Sequence, residues 1–227
     1  NLRHEYYRAT LLNNGKVLVT GNIGAELYDP ATGRWTITGN MTIYRKYFTT
    51  TALDNGNVLV AGGYGYDDNW DILNSTEVYN ITTGRWRKTG NLVNVREHHT
   101  ATKLDNGNVL IAGGVSAIFN NSYIPELYNP TTELWTTARS MNTMRLSHTA
   151  TKLNNGKVMI VAGYGSGNVL SAEIYDPVLD LWESTKNAST SRFQHAASIL
   201  SDSTVLVCGG IDMDAQFSVV NSTEIYA

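Results

Sequence analysis

The amino-acid sequence predicts an all-β protein assembled from repeated four-stranded antiparallel sheets. Composition is the first reason. Asn, Thr, Ser and Gly fill 84 of 227 positions and only 16% of residues are charged, a balance that favours turns and strands over helices. Internal repetition is the second, and it decides the architecture before any local reading. Short apolar runs that follow Asn-Gly turns at regular spacing are the third.

The segments LLNNGKVLVTG, ALDNGNVLVAGG, KLDNGNVLIAGG and KLNNGKVMIVAG superpose on turn glycines Gly15, Gly56, Gly107 and Gly156. A fifth copy, ILSDSTVLVCGG, has Ser203 in the glycine slot. Glu-x-Tyr follows in every copy: Glu26 and Tyr28, Glu77 and Tyr79, Glu126 and Tyr128, Glu173 and Tyr175, Glu224 and Tyr226. Seven residues beyond the first four tyrosines stand Trp35, Trp86, Trp135 and Trp182. Arg45, Arg96, Arg145 and Arg192 open the later copies, with His4 in the first slot. These features place the repeats at about 1–40, 41–91, 92–140, 141–187 and 188–227, within one domain.

Each repeat reads as four strands in order. The first is small and alternating, as in 99–104. The Asn-Gly turn suits a type I′ hairpin and returns the chain antiparallel. The second strand, such as 109–112, is a continuous apolar run expected of a strand buried on both faces. It ends in a glycine pair (Gly62 and Gly63, Gly113 and Gly114, Gly209 and Gly210), where a missing side chain permits close approach or positive φ. On this alignment the second glycine is Asn22 in the first copy and Tyr164 in the fourth. A variable loop leads to the Glu-x-Tyr strand, and a Pro-x-Thr-Gly-like turn leads to the tryptophan strand.

Such a sheet cannot bury both faces alone. Radial stacking of successive sheets does so, with tyrosines and tryptophans in the seams, and the result is a β-propeller. The chain resembles the kelch-repeat family, on its glycine pairs and the later Tyr and Trp at fixed spacing, over essentially all 227 residues. Four copies have all four strands and the fifth ends after its Glu-x-Tyr strand, so the expectation is a partial ring: four full blades and three strands of a fifth.

His99, His148 and His195 share one repeat position with Tyr7 and Phe48. A slot that accepts Phe is chosen for a flat ring, so these histidines are expected to pack rather than ligate metal. The repeated glutamates need partners if buried. The recurring arginines are the candidates, in ties such as Glu77 with Arg96. Six glycosylation sequons begin at Asn40, Asn74, Asn80, Asn120, Asn187 and Asn221. That is no enrichment over random placement in so Asn- and Thr-rich a chain, and the compartment stays open. Cys208 lies in an apolar strand as a small core residue.

Function must come from what does not repeat. The loops after the glycine pairs vary in length and content, as binding loops on a rigid scaffold do. Candidate binding residues are Tyr64, Tyr66, Asp67, Asp68, Trp70, Phe119, Asp212, Asp214 and Phe217. Trp70 is the one tryptophan off the repeat, set among tyrosines and acids, and aromatic residues of this kind anchor interfaces. The expected function is a non-enzymatic scaffold presenting these loops to a protein partner, with no cofactor, no metal and no catalytic residue. Many kelch-like propellers recognise proteins, and the resemblance implies the same role here. Two alternatives stay open: the propeller portion of a copper oxidase resembling galactose oxidase, and a carbohydrate-binding module acting through Trp70 and Tyr66. A formal charge of −3 with scattered Lys and Arg argues against nucleic acid, and no apolar run reaches the length of a membrane span.

Overall fold

The computed structural model describes residues 6–22, 24–67, 69–115, 124–165, 169–212 and 215–226. Every regular element among them is a strand. The first repeat forms a sheet of β1 (Arg8–Leu11), β2 (Val17–Thr20), β3 (Ala25–Asp29) and β4 (Arg34–Thr38), paired in that order. The second opens with β5 (Tyr44–Lys46) and runs through β6 (Thr49–Ala52) and β7 (Val58–Ala61). It then inserts the hairpin β8 (Tyr64–Asp67) and β9 (Asn69–Ile72), and ends with β10 (Thr76–Asn80) and β11 (Arg85–Lys88). Its blade has the order β6-β7-β10-β11, while β5-β8-β9 make a separate three-stranded sheet.

The third repeat contains β12 (Thr100–Lys103), β13 (Val109–Ala112), β14 (Glu126–Asn129) and β15 (Leu134–Thr137). The fourth forms a sheet of β16 (Thr149–Lys152), β17 (Val158–Val161), β18 (Ala172–Asp176) and β19 (Leu181–Thr185). In the fifth, β20 (Ala196–Ile199), β21 (Val205–Cys208) and β24 (Thr223–Tyr226) pair as a three-stranded sheet. Between the last two of these lies a two-stranded ribbon, β22 (Ile211–Asp212) and β23 (Ser218–Val219). Contacts divide the chain into two compact units, Asn1–Glu97 with Tyr128–Thr136, and His98–Leu127 with Thr137–Ala227. The hairpin β12–β13 belongs to the second, and β15 lies almost wholly in the first.

The hairpin turns differ from the type I′ expectation. Gly15 N–H donates to Leu12 O at 2.9 Å, Leu12 N–H donates to Lys16 O at 2.8 Å, and only Gly15 has positive φ, +81°. This is a type I turn closed by one left-handed residue, the three-residue hairpin loop. Asn14 Oδ1 accepts the Lys16 N–H at 3.1 Å, and Asn55, Asn106, Asn155 and Asp202 repeat the contact. An Asx side chain that bonds the backbone two residues on serves where a second positive φ was expected. The fourth glycine pair also needs realignment. Ala162 takes the first position at φ +52° and Gly163 the second at +107°, so the glycine is retained and Tyr164 lies beyond the pair, bridged to Leu146. A Cβ on Gly163 would come within 2.8 Å of Leu146 O and of His148 Cβ, which explains the retention.

Within the first unit, Leu12, Leu18 and Ala25 of the first repeat pack with Val58, Val60, Tyr79 and Trp86 of the second. The Trp86 indole donates to Gly39 O at 2.7 Å, and Trp135 donates to Gly90 O at 2.8 Å. In the second unit, Leu104, Leu110 and Ala138 pack with Val158, Ile160, Tyr175 and Trp182, whose indole donates to Arg139 O at 2.8 Å. Each of these tryptophans therefore leans on the repeat before it. Trp35 is the exception. It was expected in a seam, but it is 45% exposed, with its ring 5.0 Å from that of Tyr28.

The buried charges pair inside a repeat, not across to the next arginine. Arg45 meets Glu77 at 3.0 Å, which replaces the expected Glu77–Arg96 tie; Arg145 meets Glu173 and Arg192 meets Glu224, both at 2.7 Å. Arg45 also donates to Gly62 O and Ser75 O, both at 2.9 Å, and Glu77 accepts the backbone N–H groups of Thr42 and Ile43. The segment entering each of these repeats is thereby fastened to its own third strand. Burial pushes the Arg45 and Arg145 pKa values down, and the facing carboxylates push them back up.

The histidine slot does pack. His148 Nε2 bonds Thr100 Oγ1 at 2.9 Å and His195 Nε2 bonds Thr149 Oγ1 at 2.8 Å, joining neighbouring inner strands in the second unit. Phe48 is fully buried in the equivalent place. Burial, then the positive charge of Arg145, drives the His148 pKa well below 6.5. Burial and Arg192 lower His195 to about 4.

Candidate functional site

The segment expected to be a loop around Trp70 is a β-hairpin, and this sets the geometry of the site. Two tyrosines, a glycine and alternating polar residues let β8 and β9 pair, with Tyr66 opposite Trp70 and Tyr64 opposite Ile72. β5 adds to the other edge, with Tyr44 opposite Tyr66 and Lys46 opposite Tyr64. Because side chains alternate across a sheet, Tyr44, Tyr66 and Trp70 form one row on one face, and Lys46, Tyr64 and Ile72 form the next row. The intervening row, Arg45, Gly65 and Asp71, points the other way. There Arg45 is buried, and Gly65 must lack a side chain: a Cβ would lie 2.0 Å from Tyr44 O.

The aromatic face is open to solvent. Trp70 is 53% exposed, with Tyr44 and Tyr66 also exposed. Trp70 sits edge-on to Tyr44 at 5.0 Å and stacks on Tyr64 at 5.9 Å, so the rings brace one another. Tyr64 in turn shares the Lys46 ammonium with Tyr6 and Tyr47, at 5.1, 5.4 and 5.4 Å from the ring centres. Glu97 lies near Lys46; its burial raises its pKa, and the lysine opposes that rise. Off the aromatic face, Asp67 lies 3.6 Å from Lys88, and Asp71 Oδ1 accepts the Ile72 N–H at 2.7 Å.

Beside Tyr44 the face runs into a pocket of about 220 Å³, walled by Asn22, Asn40, Met41, Ile43 and Tyr44 with the glycine backbone at 21 and 24. Asn22 Nδ2 donates to the Tyr44 hydroxyl at 2.8 Å, while its buried Oδ1 has no partner. Sequence reasoning missed Asn22 and Tyr44. The replacement of a pair glycine by Asn22 was the available signal, read only as a backbone departure.

Asp68, Phe119 and Asp214 lie outside the described residues. Asp212 and Phe217 belong to the ribbon β22–β23 and its turn in the second unit, where Phe217 is exposed at φ +62°. That unit has its own groove of about 290 Å³ on the hairpin-turn side, between Leu104 and the turn Pro177-Val178-Leu179. Val178 is 89% exposed where the earlier repeats place Ala31, Thr82 and Thr131. Cys208 is a free thiol, half-buried in β21 opposite Ala196. Among the described residues, no three His, Cys, Asp or Glu side chains converge as metal ligands, and no helix is long and apolar enough to cross a membrane.

Residues 45–92, the second repeat that carries the aromatic sheet, match the kelch motif. The fold is a kelch-type β-propeller. The described strands superpose on the solved structure of YjhT with a TM-score of 0.83, at 17% sequence identity, over 99% of this chain and 82% of that one. No curated protein matches the chain in sequence. Against this kelch framework the extra sheet stands out: among the described residues, the second repeat alone adds three strands to its blade.

Proposed function

We propose that this kelch-type chain is a non-enzymatic protein-recognition module, and that the open face of β5-β8-β9 docks its partner. Kelch propellers generally serve as interaction scaffolds, and the carrying observation is the row Tyr44–Tyr66–Trp70, exposed and braced in place. Rigid aromatic side chains give large contact area at small entropic cost, and they dominate interface energies. Repetition sharpens the point, because Trp86, Trp135 and Trp182 at the repeat position each bond the repeat before them, whereas Trp70 lies off the repeat. A segment docking here would meet an aromatic centre of three rings on a single face of the sheet.

The test compares wild type and Trp70→Ala against a partner isolated with the wild-type chain. Calorimetry should show a loss of more than about 1 kcal/mol in binding, with melting temperature nearly unchanged since Trp70 is half-exposed. Equal affinities for the two proteins would move the docking surface elsewhere.

A further inference from the structure

We propose that the four Asn-Gly turns are sites of spontaneous deamidation, at Asn14, Asn55, Asn106 and Asn155, and that the hairpin fold sets the rate and order in which they react. The chemistry needs only water. The glycine nitrogen attacks the Asn Cγ and a C–N bond forms. The glycine amide proton passes through solvent to the side-chain nitrogen, which leaves as ammonia. Water then opens the cyclic imide at either carbonyl, giving aspartate or isoaspartate. Glycine favours the attack because no Cβ hinders its nitrogen. All four asparagines are exposed, so water and base reach them.

The turn geometry opposes the first step. An imide ring is nearly planar, so the glycine nitrogen must eclipse the Asn Cβ. Asn holds the third position of a type I turn, where ψ near 0° keeps that nitrogen and Cβ roughly 120° apart about the Cα–C bond. The same nitrogen donates its proton to Leu12, Leu53, Leu104 or Leu153 O at 2.9–3.1 Å, and the Asn Oδ1 accepts the N–H two residues on at 3.0–3.1 Å. Attack therefore waits on opening of the turn, a local event whose frequency differs from site to site. Gly56, Gly107 and Gly156 are buried, whereas Gly15 is exposed, and beyond its chain neighbours no described atom lies within 4 Å of a Cβ built there. The Asn14 turn thus has the least cover to shed. The two products differ in consequence. The fifth turn already carries Asp202 in the Asn slot, with Oδ1 accepting the Thr204 N–H at 3.0 Å, so aspartate fits. Isoaspartate adds a carbon to the main chain and displaces the bonds that close the hairpin.

Peptide mapping by mass spectrometry with electron-transfer fragmentation, which separates aspartate from isoaspartate, tests the proposal on the whole chain. The chain is aged in mildly alkaline buffer with and without guanidinium chloride, and each site's folded rate is read against its own rate in denaturant. At Asn55, Asn106 and Asn155 the fold should slow conversion at least about fivefold, and Asn14 should convert ahead of them in the folded chain. A smaller slowing at any of those three sites, or one of them converting before Asn14, would overturn the proposal.

Discussion

Arg45 and Glu77 meet at 3.0 Å with both side chains fully out of water, and the pair ties the entry of the second repeat to its third strand. Two further repeats copy the arrangement. Removing one partner strands a buried charge. Glu77→Ala should therefore cost about 3–5 kcal/mol in urea unfolding, while the joint change Arg45→Met with Glu77→Leu should cost less than the single one. A loss below about 1 kcal/mol for the single change would mean that the pair is reached by water.

Tryptophans at the same repeat position should differ sharply in worth. Trp86 is 8% exposed and bonded to Gly39 of the repeat before it, so Trp86→Ala should cost about 3–5 kcal/mol. Trp35→Ala, at a half-exposed site, should cost under about 1 kcal/mol. Equal losses in thermal melts would contradict the seam assignment.

Acid should unfold the chain partly through its inner histidines. An unfolded imidazole titrates near 6.5, whereas the folded environment holds His195 at about 4 and His148 well below its ordinary value. Between those limits the unfolded chain binds the proton more readily, so stability is full above pH 6.5 and falls as pH drops toward 4. For His195 the loss is about 2–3 kcal/mol. His195→Phe, the residue type that Phe48 supplies in the same slot, should flatten that slope. An unaltered pH profile would show that the slope arises elsewhere.

Ser203 holds φ +71° in a turn where the other repeats use glycine. Ser203→Gly should raise stability by about 0.5–1 kcal/mol, less whatever the exposed Asn154–Ser203 bond contributes. A lower melting temperature would show that this bond outweighs the backbone strain.

The repeat made most of the fold legible. Turn spacing, apolar runs and Glu-x-Tyr located the blade strands, and the shared Phe48–His148–His195 position identified ring packing before any contact was seen. Three details escaped for physical reasons. The type I turn needs a single positive φ and an Asx bond, and Asn-Gly is compatible with both turn types. The arginine partner depends on how far the entry segment folds back, which spacing does not encode. The hairpin β8–β9 read as a loop because a turn-rich stretch of Tyr, Gly and Asp carries no apolar alternation. Its partner strand β5 lies before the blade in sequence, so the aromatic row assembles from segments about twenty residues apart, and Asn22 joins it from another repeat.

The contrast between the paired arginines and the leaning indoles bears on how such a chain can grow. In the second, fourth and fifth repeats the charge is neutralised within a single copy, so duplicating or deleting one of these copies creates no orphan ion. The indole instead covers the neighbour's flank, so a lost or shuffled copy uncovers grease rather than charge, a far milder injury. Gene duplication can thus extend the array at modest thermodynamic risk.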